Sequence, residues 1–121
     1  RVSGWVAVGV ERQQNQILHP EQFENFYRTL SEAVPNFLWT LNSNLEAEYV
    51  SKRWQEYTGL TMTEAKALPP YELYHPEDRS RLQDLWEKAQ RKPTQFETEF
   101  RYRSKEGRYR WFMMKAIPIY D

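Results

Sequence analysis

The alternation of apolar and charged residues near the end of the chain predicts a β-hairpin. Between positions 96 and 103, one set of side chains is aromatic or threonine and the other is charged: Phe96, Thr98, Phe100 and Tyr102 against Glu97, Glu99, Arg101 and Arg103. A period of two places the two sets on opposite faces of a sheet. The turn runs from Ser104 to Gly107, because glycine adopts a positive φ without steric cost. The hairpin therefore has an aromatic inner face.

Three more segments have the composition of strands. Residues 2–10 are rich in β-branched and aromatic side chains and are followed by a polar linker at 11–16. Residues 37–41 alternate between the two faces of a strand, and residues 47–51 return after a polar turn at 42–44. These segments predict an N-terminal strand and a second hairpin.

Helical periodicity predicts an amphipathic helix that begins near Pro20 and ends at Pro35. Further short helices are predicted at 54–60, where Gly59 is the C-cap, and at 61–68. The apolar stripe of the first helix consists of Phe23, Phe26, Tyr27, Leu30, Ala33 and Val34.

The longest predicted helix begins at His75 and Pro76 and ends near Lys92. Proline suits the first turn of a helix, and the carboxylates of Glu77 and Asp78 suit the positive end of the helix dipole. The buried stripe of this helix is predicted to be Leu82, Leu85, Trp86 and Ala89.

Composition excludes several classes of function. A chain of 121 residues is expected to form one domain, and its 17 basic and 17 acidic residues leave no net charge to attract nucleic acid or an anionic membrane. The absence of cysteine excludes disulfides, thiolate metal sites and a flavin–thiol adduct, and it fits a cytoplasmic location. No apolar run approaches the roughly 20 residues that cross a bilayer, so membrane contact is not expected. A chain that begins at Arg1 and stops just after a strand is expected to be a piece of a longer polypeptide.

Five short motifs together resemble a PAS domain of the PAS/PAC type found in bacterial sensor proteins, and the resemblance covers about residues 26–121. The motifs are Glu-Tyr-Val-Ser at 48–51, Trp-Gln-Glu-Tyr-Thr-Gly at 54–59, His-Pro-Glu-Asp-Arg at 75–79, Lys-Glu-Gly-Arg-Tyr-Arg-Trp at 105–111 and Ala-Ile-Pro-Ile-Tyr-Asp at 116–121. The resemblance implies an α+β fold with a five-stranded antiparallel sheet of order 2-1-5-4-3. It also implies short helices on one face, a ligand-sized cavity beneath them and an N-terminal amphipathic helix.

The chain departs from the family in two places. The family commonly has Asn at the position of Ser51, so the resemblance does not establish the helix-capping hydrogen bond at this residue. The family also has a fifth strand after the position of Asp121, whereas residues 1–10 resemble that strand. We therefore expect residues 1–19 to be the last strand and linker of a preceding PAS domain and residues 20–121 to be a PAS domain without its own final strand. Residues 1–10 are expected to fill the vacant position, in their own chain or swapped between two chains.

The resemblance also implies which side chains face the cavity. They are either the lining of a small-molecule pocket, with the hydroxyl of Tyr102 as its polar group, or a core packed solid by its own aromatic rings. The residues are Trp39, Leu41, Phe96, Phe100, Tyr102, Phe112, Met114 and Ala116.

Trp111 and Met113 are expected on the opposite, outer face of the sheet. An apolar outer face implies a cover. The predicted amphipathic helix is the expected cover, either from the same chain or from a second chain in a parallel dimer, and its contact residues are Phe23, Phe26, Tyr27 and Leu30.

Catalytic, metal and cofactor chemistry is not expected. His75 is placed to begin a helix rather than to ligate haem, and two distant histidines without cysteine do not make a metal site. Glu77 and Asp78 are explained by helix capping, so no acid–base pair is expected. Neither haem nor flavin is expected. The interleaved arginines and aromatics at 101–112 resemble an RNA-binding sheet, but Glu97 and Glu99 on the same face can pair with them, so no nucleic-acid partner is expected.

The resulting functional interpretation is a sensory and dimerisation module of a multidomain bacterial signal-transduction protein, most consistent with a histidine kinase of a two-component system. The fragment itself is not expected to be an enzyme. Its expected partners are adjacent PAS or kinase domains of the same chain and a second copy in a homodimer. The alternatives are a structural spacer without a ligand and the PAS module of a diguanylate cyclase.

Overall fold

The computed structural model of the chain describes residues 1–12 and 37–121. Within them the strands are β1 (Val2–Glu11), β2 (Phe37–Asn42), β3 (Ala47–Val50), β4 (Phe96–Arg103) and β5 (Tyr109–Tyr120), and the helices are α1 (Lys52–Thr58), α2 (Met62–Ala67) and α3 (Pro76–Arg91). The amphipathic helix predicted from Pro20 to Pro35 lies outside the described residues.

All five strands form one antiparallel sheet of order β3-β2-β1-β5-β4. If β2, β3, β4 and β5 are numbered as the first four strands of the expected sheet, β1 is its fifth strand, and the order is 2-1-5-4-3. The predicted sheet is therefore confirmed, with β1 paired within its own chain. The origin of β1 in a preceding domain stays a prediction.

β1 occupies the centre of the sheet because it pairs with a neighbour along each edge. It pairs with β2 from Gly4 opposite Asn42 to Gly9 opposite Phe37. It pairs with β5 over its whole length, and beyond that ladder the backbone N–H of Asp121 donates to the carbonyl of Arg1 at 3.0 Å. A Cβ on Gly4 would collide with the carbonyl oxygen of Leu41, so this close approach requires glycine.

Ser51 and Gly59 cap α1, and His75 caps the N-terminus of α3. Ser51 is the N-cap of α1, and its hydroxyl accepts hydrogen bonds from the N–H of Trp54 at 3.3 Å and of Leu38 at 3.1 Å. Ser51 therefore makes the capping hydrogen bond, although the family commonly has Asn at this position. Gly59 closes α1 in the left-handed region, with φ of 74°. His75 is the N-cap of α3, where its Nδ1 accepts from the N–H of Glu77 at 3.1 Å.

The core lies between the inner face of the sheet and the three helices, and it is built mainly from aromatic rings. Trp86 of α3 packs edge-on against Trp5 of β1, with ring centroids 5.4 Å apart. Phe112 of β5 stacks on Phe37 of β2 at 4.6 Å. Bulky interdigitated rings of this kind hold the helices on the sheet through their large buried area.

A buried ion pair joins α3 to the edge strand β4. Asp78 is only 4% exposed, and its carboxylate accepts from the backbone N–H of Arg101 at 2.8 Å and from the guanidinium at 3.1 and 2.8 Å. Helix capping therefore does not explain Asp78, contrary to prediction, because His75 is the cap and Asp78 binds β4. Burial alone would raise the pKa of Asp78, but the hydrogen bonds and charge of Arg101 outweigh it and lower that pKa.

Deletion of residues 1–10 is expected to abolish the cooperative thermal unfolding transition. The deletion removes the central strand, so the buried backbone groups of β2 and β5 lose their partners. Circular dichroism against temperature checks this. As a control, removal of residues 120 and 121, where Tyr120 is 58% exposed, should shift the melting temperature by about 5 °C or less. A chain without residues 1–10 that melts like the full chain would contradict the role of β1.

Asp78→Asn is expected to lower the free energy of unfolding by about 2 kcal/mol, because it weakens a buried charge-assisted network. Glu77→Gln is the matched control, since the side chain of Glu77 is 76% exposed and contacts the same arginine at 3.3 Å. The control should cost no more than about 0.5 kcal/mol. Urea unfolding measures both, and equal losses would contradict the assignment.

The ion pair between Asp78 and Arg101 also predicts how the free energy of unfolding depends on pH. The pKa of Asp78 is lower in the folded chain than its ordinary value of 3.8, so its contribution is present above pH 3.8 and is lost as pH falls through the lower folded value. The free energy of unfolding of the unmodified chain should therefore fall below pH 3.8, and Asp78→Asn should reduce that fall. Urea titrations at several acidic pH values check this, and identical slopes for both proteins would refute it.

Candidate ligand cavity and outer sheet face

A small cavity lies between the inner face of the sheet and the helices. Its volume is about 70 Å³, and its walls come from β2, β3, β4, all three helices and the segment 68–74 between α2 and α3. Pockets for drug-sized ligands usually measure about 300–1,000 Å³. The aromatic core therefore fills most of the space beneath the helices and leaves room only for a small molecule.

The structure separates the predicted cavity residues into three groups. Trp39, Leu41 and Tyr102 line the cavity. Phe96 instead lines a second, apolar hollow beside Leu85 and Ala89 of α3. The remaining predicted residues are 0–1% exposed members of the core and do not line the cavity: Phe100, Phe112, Met114 and Ala116.

Two tyrosine–tryptophan pairs supply polar groups to the cavity wall. The indole N–H of Trp54 donates to the hydroxyl of Tyr102 at 3.2 Å. Tyr74 and Trp86 form the second pair, and all four side chains line the cavity. Tyr102 was predicted as the polar group of the pocket, whereas Tyr74, Trp54 and Trp86 were not predicted to line it. The available signal was that a buried Tyr or Trp needs a hydrogen-bond partner.

The buried tyrosines keep their protons at any physiological pH. Burial is the main cause that raises the pKa of Tyr102 and of Tyr74 far above 10.0. Burial also raises the pKa of Tyr57 to about 12. The hydroxyl of Tyr57 donates to the backbone carbonyl of Tyr102 at 2.7 Å, so its proton is already used inside the protein. Protonated hydroxyls such as these act as hydrogen-bond donors.

The outer face of the sheet carries a second apolar cluster. Met113 of β5 pairs in register with Val10 of β1, and these residues are 0% and 2% exposed although neither belongs to the core. Trp111 and Met113 thus lie opposite the cavity, as expected. The face is continued by partly exposed apolar residues: Leu38, Tyr49 and Ile117. The helix residues expected to cover it, Phe23, Phe26, Tyr27 and Leu30, lie outside the described residues.

Charged side chains pack around Trp111 on this face. The guanidinium carbons of Arg12 and Arg101 lie 4.8 and 4.9 Å from the centroid of its ring, within cation–π range. Arg12 also pairs with Glu99 at 2.6 Å, whereas Arg101 reaches Asp78 of α3. Contacts therefore run from the first turn of α3 across β4 and β5 to Arg12, the residue that follows β1.

Residues 1–12 and 37–121 contain no group of three or more His, Cys, Asp and Glu side chains that could hold a metal ion. Within the same ranges, no helix has the length and apolarity needed to cross a bilayer.

Comparisons with known proteins match this architecture. A family profile described as PAS fold matches residues 47–121, which is more than half of the chain. The chain is 28% identical over 104 residues to the peroxide stress-activated histidine kinase mak1 of Schizosaccharomyces pombe, covering 79% of this chain and 6% of that protein. It is 30% identical over 101 residues to the histidine kinase mak3 of the same yeast, covering 81% and 4% respectively.

A bacterial relative is also similar. The uncharacterized protein y4lL of Sinorhizobium fredii is 30% identical over 90 residues, covering 74% of this chain and 11% of that protein. The chain thus spans about a tenth or less of the length of the curated relatives it matches. From the sheet order, the cavity beneath the helices and the family match, we conclude that the chain belongs to the PAS fold family.

Proposed function

We propose that this PAS signalling module is a sensory and dimerisation domain whose cavity is coupled to the segment that follows β1. The observation that carries the proposal is the continuous set of contacts between the two sides of the sheet. Trp86 of α3 lines the cavity, and Asp78 at the start of the same helix binds Arg101. Arg101 in turn packs on Trp111 together with Arg12.

The proposed mechanism is a change in packing. Occupation of the cavity shifts α3 against the sheet, and the Asp78–Arg101 pair carries that shift to the outer face. There the contacts of Trp111 with Arg12 alter the direction in which the chain leaves β1. Close packing supports this coupling, because interdigitated rings transmit displacement rather than absorb it.

Several features support the remaining parts of the proposal. A cavity of about 70 Å³ favours a small ligand over haem or flavin. The outer-face arginines are matched by carboxylates, since Arg12 pairs with Glu99 and Arg101 with Asp78, which argues against a nucleic-acid partner. A cytoplasmic location and the absence of catalysis in this fragment remain part of the proposal.

The parent protein is proposed to be a bacterial sensor histidine kinase in which neighbouring PAS or kinase domains are the partners of this module. The similarity to two histidine kinases supports the kinase, and the similarity to a Sinorhizobium protein supports a bacterial source. A diguanylate cyclase is the alternative parent. A spacer that dimerises without sensing is the alternative function, and the small cavity favours it.

Ala65→Leu is expected to change amide hydrogen exchange far from the substituted residue. Ala65 of α2 is 1% exposed and lines the cavity, so the larger side chain displaces the wall against the sheet. The reporters are the amide of Arg12, which donates to the carbonyl of Trp111 at 2.9 Å, and the amide of Arg101, which donates to Asp78 at 2.8 Å. Exchange at both should change by about tenfold, which corresponds to roughly 1.4 kcal/mol.

The matched control is Ala67→Leu, the same substitution at an exposed position of the same helix that does not line the cavity. It should leave exchange at Arg12 unchanged. In the full-length protein, Ala65→Leu should also change the output activity and Ala67→Leu should not. If the output activity is the same in both variants and in the unmodified protein, the module is a spacer and the sensory proposal is wrong.

Dimerisation through the outer face can be tested by light scattering. The unmodified chain is expected to have twice its mass of 14.7 kDa. Ile117→Glu should halve the observed mass, because it places a charge in an apolar face where Ile117 is 36% exposed. Thr63→Glu, which adds the same charge at an exposed position on α2, should leave the mass unchanged. A monomeric unmodified chain would refute dimerisation.

A further inference from the structure

The free hydrogen-bonding capacity of the cavity selects one class of ligand. We propose that the cavity takes a small neutral molecule whose oxygen accepts hydrogen bonds from the hydroxyls of Tyr74 and Tyr102, a ketone, aldehyde or amide. This inference rests on the proposed sensory function and specifies what the sensor binds.

The two hydroxyls are donors without an acceptor in the described part of the protein. The hydroxyl of Tyr102 already receives the indole N–H of Trp54, and Tyr74 and Trp86 line the same cavity. None of the hydrogen bonds within residues 1–12 and 37–121 uses the proton of either hydroxyl. The tyrosines are 7% and 9% exposed, and their ring centroids lie 5.5 Å apart. Both tyrosines line the cavity, so an acceptor oxygen placed there can use the protons of both hydroxyls.

The lining excludes charged ligands. Among the described residues around the cavity there is no Lys, Arg or His to pair with an anion, and Glu72 is the one charged residue. A buried anion would therefore lack a counter-charge. A cation could approach Glu72, but it brings no acceptor and would leave the protons of both hydroxyls unpaired. A neutral acceptor is the remaining class that matches the lining.

The volume limits the ligand to a few atoms. A water molecule needs about 10–15 Å³ of such space, so about 70 Å³ corresponds to roughly five waters or to an organic molecule of about four heavy atoms. The rest of the wall is apolar, including Leu41, Val50 and Ala65. Methyl groups attached to a carbonyl would contact these side chains. Acetone has the size and the acceptor that this arrangement requires.

The test compares acetone with isobutene, which has the same shape but carries a methylene group in place of the oxygen. The readout is the indole N–H resonances of Trp54 and Trp86 in a proton–nitrogen correlation spectrum, because both indoles line the cavity and that of Trp54 donates to Tyr102. Acetone should shift both resonances in a saturable manner. Isobutene should bind about 25-fold more weakly, as expected for the loss of two hydrogen bonds of about fivefold each. The indole of Trp111 on the outer face should not move.

Variants provide a second test. Tyr74→Phe and Tyr102→Phe keep the ring and remove the donor, so each should weaken acetone binding by about fivefold. Tyr49→Phe is the matched control, since Tyr49 lies on the outer face of the sheet, is 44% exposed and does not line the cavity. The control should bind acetone like the unmodified chain. The comparison of the two probes on the unmodified chain holds even if a variant fails to fold.

The outcomes separate this inference from the sensory proposal. Equal affinity for acetone and isobutene would overturn the ligand class, as would the absence of a saturable shift with either probe, which would mean that the cavity holds only water. Neither result bears on whether Ala65→Leu changes the output of the full-length protein, which is the test of sensing. Tighter binding of acetone that depends on both hydroxyls would support the inference.

Discussion

The position of β1 between β2 and β5 is the constraint on which the rest of the structure depends. Both of its neighbours are interior strands only because β1 joins them; without it, each would present an unpaired edge beneath the helices. β1 also brings Trp5 and Ala7 into the core and Val10 to the outer face. A strand buried on both faces must be apolar on both, and the run from Trp5 to Val10 meets that requirement.

The aromatic core and the cavity are two consequences of the same packing. Large rings cannot fill every space beneath short helices, and the remaining space lies where Trp54 and Trp86 approach Tyr102 and Tyr74. These four side chains combine large apolar surfaces with polar tips, so burial forces each tip to find a partner. The hydroxyl of Tyr102 satisfies the indole of Trp54, and the hydroxyls of Tyr74 and Tyr102 keep donor capacity. The hydrogen-bonding character of the cavity therefore depends on which polar groups of its wall already have partners within the wall.

Most elements of the fold could be predicted from the sequence because they are specified locally. The period of two in β4, the positive φ of Gly107 at 82° and the glycine cap at Gly59 each depend on neighbouring residues. The central placement of β1 was predictable for a different reason. The resemblance left one position of the sheet vacant, and residues 1–10 resembled the strand that belongs there.

The site was less predictable because it depends on contacts between residues distant in the chain. The pairing of Asp78 with Arg101 spans 23 positions, and that of Trp54 with Tyr102 spans 48. The prediction that Asp78 caps α3 used only residues of that helix, and the contact with Arg101 of β4 cannot be seen from them. Cavity lining by the segment 68–74 also escaped prediction, since no periodic pattern marks an irregular segment. Alternation assigned Phe100 and Phe112 to the correct face, but depth within the core is set by neighbouring rings.

The hydrogen bond between Asp121 and Arg1 brings the two ends of the chain together at one corner of the sheet. Topologically the described fold is therefore almost a closed ring, with β5 followed in space by β1. A short covalent bridge from residue 121 to residue 1, with the backbone opened between Glu11 and Phe37, would produce a circular permutant. In that molecule the last strand would follow β5 through a hairpin, and the same strand order would be retained. The sheet thus specifies which strands are neighbours without specifying which of them is synthesised first.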